Sequence, residues 1–392
     1  MKWKIASLGE VATIERNGID ASDIVPGTEF LGLEHIQIGG EIIGSQRVEN
    51  GEISSTKFCF GKSHVLYGKL RPYLAKIALP NFEGICSTDI LPIAPGPNLD
   101  RRYLAYYLRQ PSMVDLANSR STGANLPRLS PKVLETFQIP LPPIAEQRRI
   151  AAILDKADAI RRKRKQAIQY TEELLRATFL DMFGDPVTNP KGWDVKTIED
   201  FTRGKNSIKR GPFGGALKKD CFVKNGYLVY EQYHALNNDF EFGRYYIDET
   251  KFEEMKAFEV HPGDIIISCS GVYLGKLAIV PEGARRGIIN QALLRLTLNK
   301  GKMSNLFFVY HFSHENFRSK FFGDNRGSGI PNFPPMSEFK QFPFIVPPID
   351  KQRQFEDRFR KIQACKEQEH KSLIESDNLF NSLLKRAFQG EL

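Results

Sequence analysis

The sequence predicts an α+β protein: two globular domains related by pseudo-twofold symmetry and separated by an antiparallel coiled coil of two long helices. Three observations predict it. The chain repeats itself near its midpoint. Each copy opens on short strand-like runs broken by Gly, Pro and Asn. Each copy closes on a long amphipathic stretch with no internal helix breaker. The expected boundaries are globular domains at 1–143 and 185–347, and long helices at 144–184 and 348–392.

The repeat is read from four matches in chain order. Trp3-Lys4-Ile5-Ala6-Ser7-Leu8-Gly9-Glu10 recurs loosely at Trp193–Asp200, and Tyr73-Leu74-Ala75-Lys76-Ile77-Ala78 at Tyr273–Ala278. Leu141-Pro142-Pro143-Ile144-Ala145-Glu146-Gln147-Arg148 recurs at Val346–Arg353, and Leu174–Phe179 at Leu383–Phe388. The offsets grow from 190 through 200 and 205 to 209, as small insertions in one copy require. A period near 200 is far above that of a solenoid, so the unit is domain-sized. At 392 residues the chain is also too long for one ordinary core. Duplicated units favour a pseudo-twofold pair for the reason that homodimers are symmetric.

In the globular parts, Phe222-Val223, Tyr227–Tyr230 and Asp264–Ser268 read as strands, and Pro262-Gly263-Asp264 as a turn feeding one. Asp100–Leu108 and Met303–Phe317 read as short helices. Pro142-Pro143 and Pro347-Pro348 stand where a helix can begin. From Ile144 to about Met182 there is neither Pro nor Gly, and Gly184-Asp185-Pro186 ends the run. Such a helix is roughly 58 Å long at 1.5 Å per residue. Its expected seam is Ile150, Ile153, Ala157, Ile160, Ala167, Thr171, Leu174 and Thr178, interrupted at Arg164. The second seam is Phe355, Phe359, Ile362, Leu373, Phe380, Leu383 and Ala387, interrupted at Lys366 and Glu369.

Composition excludes several classes. Hydrophobic residues make up 41% and charged residues 26%, which is a globular balance. Five scattered cysteines, none in a C-x-x-C pair, argue against a disulfide framework or zinc ribbon and fit a reducing cytoplasm. No apolar run approaches the roughly 18 residues of a membrane span, and charges interrupt the N-terminus where a signal peptide is apolar. The expectation is a cytoplasmic protein without membrane contact. A net charge of +9 favours an anionic partner, although the charges are nearly balanced along the chain.

A search for chemistry finds little. There is no phosphate-binding glycine loop, no G-x-S-x-G and no H-E-x-x-H. His311-x-x-His314 has no partner at a known metal spacing. Asn332-Phe333-Pro334-Pro335 has the letters of an amino-methyltransferase motif in the wrong order, and Glu253-Glu254-Met255-Lys256 reads as a solvated face. No catalytic residue, metal site or cofactor is expected.

Residues suited to DNA are present in both copies, since Lys and Arg hold phosphates while Arg, Lys, Asn and Gln read base edges. The first copy offers Lys69, Arg71, Tyr73 and Lys76, then Arg120, Asn125 and Arg128 in a Gly-containing loop. The second offers Lys209, Arg210, Lys218 and Lys219 around a Gly-rich turn, Tyr273 and Lys276, Asn290 and Gln291, and Arg326 and Asn332 in a loop matching the Arg120–Asn125 loop. The run Arg161–Lys165 suits a phosphate backbone, a solvated face or an acidic partner equally.

The phrase Pro140-Leu141-Pro142-Pro143-Ile144-Ala145-Glu146-Gln147-Arg148-Arg149-Ile150-Ala151-Ala152-Ile153-Leu154-Asp155-Lys156-Ala157-Asp158 resembles the hallmark of Type I restriction-modification specificity subunits. Leu180–Pro186, the Gly211-Pro212-Phe213-Gly214-Gly215 turn and Gln389-Gly390-Glu391-Leu392 extend the resemblance over essentially the whole chain. The second helix keeps only the opening of the phrase, which puts its packing details in doubt. The resemblance implies two target-recognition domains, each reading half of a split double-stranded DNA site, with the helices fixing the gap. It further implies methyltransferase subunits, two of them, docked on the helices, and restriction subunits joined through the complex. The chain itself would be non-catalytic. A stiff spacer makes a ruler: four residues add about 6 Å. Docking stripes left bare without partners favour a homodimer of the isolated chain. The competing readings are a protein-binding coiled-coil scaffold, and a self-contained methyltransferase or nuclease with an unrecognised site.

Overall fold

Each copy opens on the same local code. Ser7 and Thr197 end a short strand and are followed three residues later by an acid. The backbone N–H of Ser7 donates to Glu10 at 2.6 Å, and that of Thr197 to Asp200 at 2.9 Å. This carboxylate-to-backbone bond is half of a capping box. It is the physical content of the Trp3–Glu10 and Trp193–Asp200 repeat. The strands preceding these caps, Lys4–Ser7 and Val195–Thr197, pair antiparallel with Gln138–Leu141 and Pro343–Ile345. The first and last strands of each copy are thereby joined just before its Pro-Pro step.

The computed structural model describes residues 3–49, 51–204, 206–323 and 333–392. These form two compact units, Met1–Ala167 with Glu369–Leu392, and Ile168–Gln368. In the first unit a four-stranded antiparallel sheet runs Ala12–Ile14, Ile90–Pro95, Val65–Gly68, Ile77–Ala78. The second unit repeats it strand for strand as Ile208–Arg210, Leu293–Leu296, Ile265–Ser268, Leu277–Ile279. Each unit adds a second sheet built on one parallel pair, Glu29–Leu31 with Gly84–Cys86 and Tyr227–Tyr230 with Gly287–Ile289. The α+β expectation and the duplication both hold at the level of strand order.

Two local expectations fail. Phe222-Val223 is not a strand; Val223 makes a single bridge to Tyr246. It is cut short by the Lys219–Cys221 turn and by Gly226, whose φ is 154°. Met303–Phe317 is not one helix but parts of two, Asn305–Ser313 and Glu315–Phe322. His314, at φ −60° and ψ 136°, ends the first and caps the second. Arg101–Leu108 is helical as expected, with the Asp100 carboxylate accepting from the N–H groups of Arg102 and Tyr103.

The long helices run Ile144–Phe183 and Ile349–Gln389. A fully buried glutamine fixes each to the globular part that precedes it. Gln147 accepts from the Asp100 N–H at 2.9 Å and donates to the carbonyls of Asn98 and Pro142, both at 2.9 Å. Gln352 accepts from the Ser304 N–H at 2.8 Å and donates to Pro347 at 2.7 Å. The Gln of each Pro-Pro repeat therefore satisfies backbone groups that water cannot reach.

Within each unit the helices pair antiparallel. In the first, Arg149 meets the Leu392 carbonyl, Arg161 meets Asp377 at 2.6 Å, and Arg164 meets Glu369 at 2.8 Å. In the second, Glu172 meets Lys366 at 2.6 Å and Phe179 packs on Phe355. The second helix buries Phe355, Phe380 and Ala387 of the expected seam and half-buries Phe359, Ile362, Leu373 and Leu383, with Leu384 buried beside them; its two interruptions are these ion-pair partners. The first helix corrects the expectation. Ile150, Ala157, Arg164, Thr171 and Thr178 do belong to its seam, but the alternate positions are Leu154, Arg161, Ile168 and Leu175, each one residue later than expected. Ile160 and Leu174 are 50% and 52% exposed. Arg161 takes the inner place because its guanidinium lies 4.3 Å over the Phe380 ring while pairing with Asp377.

Trp3 and Trp193, the two tryptophans, fall one in each unit and report on them separately. Leu154→Ala should lower the stability of the first unit by about 2–5 kcal/mol, as a core truncation does. Ile160→Ala should change it by less than about 0.5 kcal/mol. The reverse order in denaturant titrations followed by tryptophan emission would restore the other register. Gln147→Leu should destabilise the first unit by about 3 kcal/mol, because an N–H and two carbonyls lose their partners. Gln352→Leu should do the same to the second unit.

Candidate nucleic-acid interface

Part of the expected set, Lys69, Arg71, Tyr73 and Lys76 in the first unit and Tyr273 and Lys276 in the second, lies on one strand connection in each sheet. In the first unit, strand Val65–Gly68 leads through Lys69 and Leu70 into a single 3-10 turn, Pro72–Leu74, and on to strand Ile77–Ala78. Both flanks of that turn are left-handed: Arg71 at φ 51° and Ala75 at φ 47°. In the second unit Gly271 at φ 72° and Gly275 at φ 70° hold the same two places. Two bonds are common to both turns. Gly68 N–H donates to Lys76 O, as Ser268 N–H does to Lys276 O; Leu74 N–H donates to Arg71 O, as Leu274 N–H does to Gly271 O. The turn presents Tyr73 in one copy and Tyr273 in the other, each 49% exposed. A left-handed arginine costs roughly 1–2 kcal/mol relative to its relaxed backbone. Such strain is concentrated where a side chain must be aimed.

Around this turn the first unit gathers Lys69, Arg71 and Arg128. Arg71 N–H donates to Pro127 O, and Leu129 N–H to Lys69 O, so the 120–128 loop is anchored against the turn. Arg128 grips Asp89 side-on, Nε to Oδ1 at 2.9 Å and Nη2 to Oδ2 at 3.0 Å, and Lys69 approaches the same carboxylate at 3.8 Å. These bonds hold the Arg128 guanidinium above its ordinary pKa. Asn125 is exposed on the same loop.

Other candidates separate from the cluster. Lys76 turns inward, its Nζ donating to Leu33 O at 2.6 Å, and bolts the turn to the neighbouring segment. Arg120 lies over the Phe137 ring and donates to Thr136 Oγ1.

In the second unit, Arg210 and Gly211 pass over Asn290 and Gln291. A Cβ on Gly211 would stand 1.8 Å from Asn290 O, so the close approach requires glycine. Arg210 lies over Phe213, and its buried Nε has no partner among the described residues. Asn290 folds back to accept from Ala292 N–H, leaving Gln291 exposed. Lys209 lies over Phe258 instead of beside Arg210. Lys218, Lys219 and Lys276 are exposed. Arg326 and Asn332 lie outside the described residues.

Sequence reasoning missed four residues. Asp89 orients two cations, but an acid gives no signal in a search for bases. Phe213 is 72% exposed beside Arg210, and only the basic Gly-rich turn around it was noted. Strand pairing places Ile14 opposite Ile93 as it places Ile208 opposite Leu296, so Arg16 is the counterpart of Arg210. Gln232 donates to Ser268 Oγ and Ser270 O at 2.8 Å beneath the second turn. Three histidines have local partners: His35 and His234 each accept a backbone N–H three residues back, and buried His311 accepts from Ile345 N–H through Nε2, while its Nδ1 has no partner among the described residues. Among the described residues no group of three His, Cys, Asp or Glu could hold a metal ion, and no helix is long and apolar enough to cross a membrane.

A family profile for the Type I restriction modification DNA specificity domain matches residues 1–170 and 190–375, one span in each copy. The chain belongs to this family. Among specificity-subunit relatives, it is 28% identical to the Type I restriction enzyme EcoDI specificity subunit of Escherichia coli over 46% of this chain and 41% of that one. It is 20% identical to the putative MjaX specificity subunit of Methanocaldococcus jannaschii over 100% and 93%. A chain from a solved type I restriction-modification structure shares the fold, with TM-score 0.64 and 19% identity over 100% and 98%. So does the type I S subunit of M. genitalium, with TM-score 0.57 and 14% identity over 98% and 96%. The duplicated turn is thus a feature of a DNA specificity protein.

Arg71→Gly should raise the stability of the first unit by about 1 kcal/mol, because glycine adopts the left-handed conformation freely. The same change removes an exposed cation, and the expected outcome is several-fold weaker DNA binding. A fall in stability in tryptophan-monitored unfolding would remove the strain argument.

Proposed function

We propose that each unit reads one half of a bipartite double-stranded DNA site, and that the two long helices set the number of unread base pairs between the halves. The observation that carries this is the doubled turn: one strand pairing, with left-handed residues at the same two places, offers an equally exposed tyrosine and nearby cations from each copy. Reading a split site needs two equivalent platforms bearing different side chains. Here the platforms are alike while the residues around them differ.

In this reading the recognition modules are 1–143 and 185–347, joined by helical modules 144–184 and 348–392. Phosphates are held by the exposed cations Arg71, Lys218, Lys219 and Lys276, and base edges by Arg128, Asn125, Arg210, Asn290, Gln291, Arg326 and Asn332. Tyr73 and Tyr273 contact the duplex at the tips, and Lys69 supports Arg128. Methyltransferase subunits, two of them, dock on the helical modules and supply the chemistry, and restriction subunits join through that complex. The chain contributes no catalytic group, holds no cofactor and works in the cytoplasm, where host DNA is. Bare helix surfaces make the isolated chain a homodimer.

Sequencing the methylated sites of a host that carries this chain with its methyltransferase partner should give two short half-sites and a fixed gap. Deleting one heptad from the middle of each long helix keeps both seams in register. It shortens each helix by about 10.5 Å, or about three base pairs of duplex. The methylated site of that variant should keep both half-sites and lose about three base pairs between them. An unchanged gap rules out the ruler. A purified complex whose DNA affinity is indifferent to salt would favour the protein scaffold instead, because phosphate contacts weaken steeply as salt rises.

A further inference from the structure

We propose that Arg128, braced by Asp89, reads a guanine in the half-site bound by the first unit, and that Asp89 is the positioning residue for that contact. The inference rests on the reading of this unit as a DNA reader and names the chemistry of one of its contacts.

The geometry of the pair is specific. A guanidinium has five N–H donors in a plane. Asp89 takes the side-on pair, the Nε–H and one Nη2–H. Three N–H groups remain, and two of them form the end-on pair, one on each terminal nitrogen, directed away from the carboxylate. Two parallel N–H groups at that spacing match O6 and N7 of guanine in the major groove. The side chain is 44% exposed, so this end is open. Its base is fixed: Arg128 exchanges both backbone bonds with Thr122 and forms a bridge to Leu70. The arginine therefore loses little side-chain freedom on binding.

The brace also argues against a phosphate contact. A phosphate attracts a free cation; Asp89 sets a negative charge beside this one and would repel the phosphate. A base edge is neutral, and for it direction matters more than charge. Lys69, 3.8 Å from the same carboxylate, offsets part of that charge.

Among the described residues, the second unit has no counterpart of the Lys69–Asp89 pair. Lys69 N–H donates to Asp89 O at 2.9 Å, and the equivalent bond runs from Cys269 N–H to Ala292 O at 2.8 Å. So the lysine and the aspartate become a cysteine and an alanine. Burial pushes the Cys269 thiol up to about 12, so this place is uncharged. The shared turn docks both units, and the braced arginine belongs to one of them. That is the pattern expected of a residue that makes two half-sites differ.

The test uses the full chain assembled with its methyltransferase partner on its mapped site. Each base pair of both half-sites is replaced in turn, and binding is measured for wild type, Arg128→Lys, Arg128→Ala and Asp89→Asn. In wild type, one G·C pair of one half-site should show about a 10- to 100-fold penalty on replacement. Both Arg128 variants should lose that penalty and keep every other preference, including the whole second half-site, which also shows that the complex is folded. Asp89→Asn removes a negative charge, so affinity for random DNA should hold or rise while the penalty at the same pair falls about tenfold. The proposal is overturned if Arg128→Ala weakens all sequences equally, or if Asp89→Asn leaves the base preference intact. Absence of sequence preference in both half-sites of the wild type overturns the underlying reading as well, and the second half-site distinguishes the two failures.

Discussion

The architecture of each unit depends on one buried amide. Gln147 and Gln352 are fully buried, one turn into their helices, and each bonds to the backbone at a helix start and at the Pro-Pro step. A helix that begins at Pro-Pro could leave its domain in many directions. The amide removes that freedom, because its oxygen and nitrogen must both be satisfied where water is absent. The direction of a helix roughly 60 Å long is thus set by a few hydrogen bonds at its root. A small error at the root would be magnified along the helix. This explains why the Gln recurs in both copies although Ala145-Glu146 just before it becomes Asp350-Lys351.

Charge plays the corresponding role farther along. Arg161, Arg164 and Lys366 occupy inward-facing positions that an apolar side chain would fill more favourably. Their partners, Asp377, Glu369 and Glu172, stand on the opposing helix. Polar groups in a helix seam weaken it but specify alignment, since a shift by one heptad would leave partly buried charges without partners. Apolar residues alone would tolerate such a slip.

That arrangement also explains what was legible in the sequence. Helix existence and length could be read, because an uninterrupted run bounded by Pro-Pro and Gly admits little else. The second seam could be read, because its phenylalanines and leucines dominate. The first seam was misread at every second position, because Ile160 outweighs Arg161 on hydrophobicity alone and the adjacent Leu174 and Leu175 are equal in it; only Phe380 and Asp377, more than two hundred residues away, put Arg161 inside. The reading turn was visible as Tyr73 and Tyr273 with their lysines. The divergent fates of Lys76 and Lys276 were not, since the first is drawn to the carbonyl of Leu33 by a neighbouring segment whose approach no local pattern encodes.

The two turns also separate frame from content. Identical strand pairing forces a left-handed residue at the same two places in both units. One copy answers with Gly271 and Gly275, the relaxed choice, and the other with Arg71 and Ala75. The backbone conformation is therefore a property of the sheet and not of glycine, and side-chain identity at these places is open to change without loss of the fold. Where glycine would be easier and arginine stands instead, the backbone carries strain at an exposed, charged position. A similar contrast sets Asp89 and Lys69 against Ala292 and Cys269: an uncharged pair, of which Cys269 is buried, builds the same connection in the second unit, so the connection itself does not require the charges of the first. A duplicated frame whose departures are concentrated at exposed, charged positions has the physical form of a reader with two different targets.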